Sequence, residues 1–148
     1  MSTPAGEILV IAPHATRTGS TKVLIELLSR LPIDLASRLA VRTLTGGPWL
    51  QRLEALGGAP SGLPPAAVLI NSALAASEVP AVSTGIPAAV YVHETGDVLA
   101  NLSRPTIDGL RRARLVLCVS VAVQEAVVAT GVARASTVVL PPVLSVGE

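Results

Sequence analysis

The sequence is almost without aromatic residues. Apart from its two histidines, only Trp49 and Tyr91 of its 148 positions carry an aromatic ring, and phenylalanine is absent. Domains that hold single-stranded nucleic acid stack its bases on such rings, so that class is disfavoured. Cysteine is nearly missing too: Cys118 stands alone within "LVLCVS". It can form no internal disulfide, which fits a reducing compartment, and its apolar setting favours a buried, inert thiol. Charge is scarce and balanced, with 11 basic and 10 acidic residues for a net charge of +1. No field that would gather nucleic acid follows from that balance. The densest basic group, Arg111, Arg112 and Arg114, reads as a solvated helix end or, alternatively, as a patch for anions or membrane headgroups. No apolar run reaches the roughly 18 residues of a membrane-spanning helix. The opening "MSTPAGE" lacks the basic segment and apolar stretch of a secretory signal. A soluble, cytoplasmic protein is expected.

The familiar catalytic and phosphate-binding signatures are missing as well. "PHATRTGS", residues 13–20, contains neither G-x-G-x-x-G nor G-x-x-x-x-G-K-[ST], which disfavours a dinucleotide site and a P-loop. No G-x-S-x-G elbow is present, so a Ser–His–acid hydrolase is a weak reading. His14 and His93 are the only histidines, and neither has companions at metal-ligand spacing. No metal site is expected.

What is present is apolar and regularly interrupted. Half of the residues are hydrophobic and only 14% are charged. A chain of this length buries roughly 68–70% of the surface its unfolded form exposes, enough for one domain without disulfides. "EILVIAP" (7–13) is a short buried strand stopped by Pro13. A helix over about 20–31 follows, with Val23, Leu24, Leu27, Leu28 and Leu31 on one face. Further strands are expected at 39–45, 66–71, 88–93, in "RLVLCVS" and in "STVVLPP". Between them the pattern predicts helices at about 48–56 and 73–84, the latter kinked or split by Pro80. Others are expected from Pro105 to about Ala113 and over 121–130, the last capped by Ser120 and closed by Gly131; residues 96–103 read as a loop or irregular helix. Strands alternating with helices imply right-handed βαβ crossovers. The expectation is a single α/β, Rossmann-like, doubly wound domain over residues 1–148. Its six-stranded, mainly parallel sheet is flanked by helices.

In such sheets ligands bind beyond the carboxyl ends of the strands. The residues placed there are His14 to Gly19, Gly46 and Gly47, Asn71 and Ser72, His93 to Asp97, and Ser120. Gly19 opens a helix, where backbone N–H groups can hold an anion, although a single glycine there often only eases the turn. His93 is either a structural histidine or a site residue, and its position beside Glu94 at a strand end supports the second reading.

The ordered set "ILVIAPHATRTGSTKVLIELLSRL", "GGPWLQRLEALG", "VLINSALAASEVPAV", "GIPAAVYVHETG", "ARLVLCVSVAVQEAVVATGV" and "STVVLPPV" resembles the N-terminal domain of GT-B-type glycosyltransferases. The likeness is greatest to the retaining glycosyltransferase family 4 and covers nearly the whole chain. It implies an acceptor-binding half-enzyme that works against a second, donor-binding Rossmann-like domain. That domain would be in a missing segment or a separate chain. It further implies transfer from a nucleotide-sugar donor to a sugar or lipid-linked acceptor, with no catalytic metal and no other cofactor. By the same resemblance His93 faces the transferring sugar and Glu94 follows it in the catalytic "HE" pair. Gly19 and Ser20 lie near the donor phosphates, and Asn71 and Ser72 line the acceptor side. The protein is expected to lie in the cytoplasm, with peripheral membrane contact allowed. Alone it is expected to be inactive and to self-associate, two copies covering the exposed rim as a homodimer. The alternative is a non-enzymatic sugar- or nucleotide-binding, or scaffolding, Rossmann-like domain.

Overall fold

The computed structural model describes residues 6–15, 18–79 and 85–142. Six strands lie in one sheet: β1 (Ile8–Ala12), β2 (Leu39–Thr43), β3 (Ala67–Asn71), β4 (Ala88–Val92), β5 (Leu115–Cys118) and β6 (Thr137–Val139). Their order is β2-β1-β3-β4-β5-β6, and every pairing is parallel. The sheet is therefore wholly parallel rather than mainly so. The chain moves from β1 to one side and returns past it to β3, so the switch of direction falls between β1 and β3. Each strand is a short run of Val, Ile, Leu and Ala because both faces of a parallel sheet are covered.

The two faces collect different side chains by strict alternation. From β1, Val10 and Ala12 join Leu24, Ile25 and Leu28 of α1 (Gly19–Ser29) and Leu53 of α3 (Leu50–Leu56). Leu9 and Ile11 face the other way and join Ile70, Val90 and Val116. There they meet Leu99 of α4 (Gly96–Leu99), Leu110 of α5 (Arg104–Arg112), and Val123 and Val127 of α6 (Val121–Ala129). Burial decides the fate of α1. Its N-cap residue, Thr18, makes no side-chain capping bond, a loss of about 1 kcal/mol. Fully buried leucines contribute roughly 1.5–3 kcal/mol each, and Leu24 and Leu28 outweigh that loss. Leu27 and Leu31, expected on the buried face, are only half-buried, whereas Thr21, Ile25 and Glu26 are buried. Sheet and α3 together cover a wider arc of α1 than a single stripe, and Arg30 pairs with Glu26 one turn away at 3.4 Å.

Other departures from the sequence pattern are local. Pro32 does stop α1, but it also opens a single extra turn, α2 (Ile33–Ala36). The segment after β3 begins as a 3-10 turn, Ala73–Ala75, rather than an α-helix. Its expected kink at Pro80 lies outside the described residues. Ser103 and Ser120 cap α5 and α6 by accepting from the N–H groups of Thr106 and Val123. Gly131 follows α6 with φ of 106°, a left-handed conformation that explains the glycine.

Candidate functional site

Because all strands are parallel, the residues after each of them meet on one rim. The rim's polar centre is built from the ends of β3 and β4 and the first turn of α1. The β3–β4 register sets Asn71 beside Tyr91, so the next residues on each strand, Ser72 and then His93 and Glu94, are neighbours.

Two linked clusters result. In the first, the Asn71 side-chain amide donates to the carbonyl of Ser20 at 3.2 Å, and its Oδ1 lies 2.7 Å from His93 Nε2. This bridge crosses the switch point, joining α1 to β3 and β4. Asn71 is 1% exposed, so a partner for each end of its amide is required rather than optional. In the second cluster Glu94 gathers three donors. Ser72 Oγ donates to one carboxylate oxygen; the backbone N–H groups of Ala73 (3.1 Å) and His93 (3.0 Å) donate to the other. Ser72 Oγ also accepts from Leu74 N–H at 3.1 Å. These bonds hold Ser72 at φ of 119°, where a residue with a Cβ is strained by roughly 1–3 kcal/mol.

Tyr91 was not anticipated as part of this site. Its ring backs the imidazole of His93, with centroids 4.3 Å apart, and its hydroxyl donates to Leu140 O at 2.7 Å. The signal was present in the sequence, since residues two apart on a strand share a face. Burial pulls the His93 pKa below its ordinary value, against an opposing pull from the Glu94 charge. That direction favours the neutral ring. Burial likewise raises the tyrosine's pKa.

The remaining expected residues fall into place around this centre. Gly19 is exposed at the start of α1, and among the described residues nothing lies within 4 Å of where a Cβ would stand. No packing demand explains that glycine. Ser20 contributes its carbonyl to the Asn71 bridge. His14 sits farther along the rim, its Nδ1 3.5 Å from Thr21 Oγ1. Ser120 is committed to its helix cap. Arg111, Arg112 and Arg114 are all exposed; they end α5 and lead into β5, which places them at the opposite rim. Cys118 is buried and its thiol is pushed up to about 11 by desolvation, as expected of an inert thiol. A groove of about 520 Å³ lies between α4, α5 and α6, lined by Gly96, Leu99, Ile107, Ala126 and Ala129 among others. It carries no titratable side chain and is separate from the polar centre. Among the described residues no helix is long and apolar enough to cross a membrane.

The fold has solved counterparts. It is similar to Anabaena Alr3699/HepE. In the complex of that protein with UDP-glucose, the match has a TM-score of 0.75 at 18% identity and covers 93% of this chain. In its complex with UDP and glucose the TM-score is 0.72, again at 18% identity over 93% of this chain, and in the UDP complex it is 0.71 at 17% over 92%. In each case the chain spans 44% of the HepE chain it matches. At this identity the likeness establishes the fold, an α/β Rossmann-like domain. No protein-family model matches the chain, and no curated protein matches it in sequence.

Proposed function

We propose that this domain is the acceptor-side half of a glycosyltransferase that uses a nucleotide-sugar, and that it works against a second, donor-binding Rossmann-like domain. The observation that carries the reading is the Ser20–Asn71–His93 bridge across the switch point, where open α/β sheets bind ligands. Support also comes from HepE, whose structures hold UDP-glucose, UDP, and UDP with glucose, and of which this fold corresponds to less than half.

The chemistry of such a site is departure of a nucleoside diphosphate from an anomeric carbon as a hydroxyl attacks. Gly19 leaves the start of α1 open to close approach, and the helix N-terminus there favours the phosphate charge. His93, neutral and backed by Tyr91, faces the transferring sugar. Glu94 orients the His93 backbone through its N–H and fixes the turn carrying Ser72. Closing a second domain over the rim aligns donor and acceptor and excludes water.

The test is turnover of a panel of nucleotide-diphosphate sugars by the purified chain, alone and with a donor-binding domain supplied in trans. No transfer alone and metal-independent transfer on complementation is the expected result. Sustained transfer by the chain alone refutes the half-enzyme reading, and no transfer with any matched donor domain refutes the glycosyltransferase reading.

A further inference from the structure

We infer that Asn71 is a positioning residue that locks His93 as the Nε2–H tautomer, so that the ring offers its Nδ1 lone pair, and therefore takes a ligand hydroxyl as a hydrogen-bond donor. The part that concerns the ligand rests on the function proposed above; the tautomer does not.

The Ser20 carbonyl can only accept, so the Asn71 atom 3.2 Å from it is the amide nitrogen. The other end of the same amide is then Oδ1, which also can only accept. His93 Nε2 lies 2.7 Å from that oxygen, so Nε2 carries the hydrogen. In a neutral imidazole the second nitrogen is then an acceptor. Among the described residues no other hydrogen bond is made by the ring. Burial favours the neutral form, so both nitrogens do not become donors near pH 7. The orientation is fixed from three sides: by Asn71, by the Tyr91 ring at 4.3 Å, and by the His93 N–H on Glu94. The Asn71 amide cannot turn over, because it is buried and the reverse placement sets its oxygen against the Ser20 carbonyl. A backbone carbonyl 51 residues away from the bridging side chain thus dictates which nitrogen of His93 faces a ligand.

Long-range proton–nitrogen NMR correlation on the nitrogen-labelled full chain, at a pH above the His93 titration, reads the tautomer directly. The expected spectrum has one protonated nitrogen, Nε2, and one unprotonated nitrogen, Nδ1, in a single form. In Asn71→Ala the ring should become a mixture of tautomers. Asn71→Asp keeps an acceptor toward Nε2 but sets its second oxygen against the Ser20 carbonyl, so it should lower stability while returning the Nε2–H form and raising the His93 titration. An Nδ1–H form in the unaltered protein overturns the inference, and so does an unchanged single Nε2–H tautomer in a folded Asn71→Ala variant. If Asn71→Ala does not fold, the unaltered protein and Asn71→Asp still decide. Adding UDP-glucose to the labelled chain complexed with an unlabelled donor-binding domain separates the two claims. A shift of the Nδ1 resonance with Nε2–H retained supports both. An Nε2–H ring untouched by UDP-glucose supports the lock and counts against His93 as a sugar contact.

Discussion

The turn that follows β3 is held from two sides, and the two holds differ in kind. On one side stands Gly109 of α5. A Cβ there would lie 1.9 Å from the carbonyl oxygen of Ala76 and 2.5 Å from its carbon, so the helix packs directly against backbone. On the other side stands Glu94, whose carboxylate receives the Ser72 hydroxyl and the N–H groups of Ala73 and His93. The first contact works by the omission of a side chain and carries stability without direction. The second works by filling donor and acceptor sites one by one. Its N–H bond from His93 sets the backbone at the point where the rim presents that residue.

That difference can be broken most severely at the packing seam. Gly109→Ala forces α5 away from the Ala76 backbone, which cannot yield as a flexible side chain would. Overpacking of this kind costs up to about 3 kcal/mol, and urea denaturation should show a loss of that size. A loss below about 1 kcal/mol would mean that the seam is slack. Glu94→Ala should cost less, about 2 kcal/mol, the scale of leaving a buried hydroxyl and backbone donors without their charged acceptor. Its signature should be shifts of the Ser72, Ala73 and His93 amide resonances, with those of α5 left in place. Shifts spread evenly through α5 would contradict the division between the two holds.

A third pair of variants separates hydrogen bonding from backbone strain. Ser72→Ala and Ser72→Gly both lose the hydroxyl, but only glycine adopts φ of 119° without penalty. The glycine variant should be more stable than the alanine variant by about 1 kcal/mol, measured by the same denaturation. Equal stabilities would place the cost in the lost bonds alone.

The smallest effect expected is in pH dependence. The His93 pKa is lowered in the folded protein, so the unfolded chain takes up the proton first as pH falls. The contribution to stability is complete above the unfolded value, about 6.5, and declines as pH drops through it toward the lower folded value. Denaturation midpoints should therefore fall on acidification across that range, and His93→Gln should flatten this limb. A midpoint that rises on acidification, and does so only when His93 is present, would reverse the sign of the shift.

The regular parts of this molecule were legible because their periods are local. Runs such as "ILVIA" and "AAVYV" mark β1 and β4 to within a residue or two, and Ser120 and Gly131 bracket α6 as their chemistry requires. The rim as a set of strand-end residues was legible too, since parallel strands bring their carboxyl ends together. What could not be read were contacts set by which strands are neighbours. The Ser72–Glu94 and Asn71–Ser20 bonds join residues 22 and 51 positions apart, and they follow only from the adjacency of β1, β3 and β4. The role of Gly109 was hidden for the same reason. A glycine inside a helical pattern reads as a weak helix former until the backbone it rests against is known.

The carboxyl-end rim is the proposed ligand site. The most direct measurement is titration with UDP-glucose of the nitrogen-labelled chain in a preformed complex with an unlabelled donor-binding domain, while backbone and side-chain amide resonances are followed. Progressive shifts at Ser20, the Asn71 side chain and His93, with Arg111, Arg112 and Arg114 unmoved at the opposite rim, are the predicted result. Shifts concentrated at that arginine cluster or in the groove between α4, α5 and α6, with the Ser20–Asn71–His93 bridge silent, would contradict it.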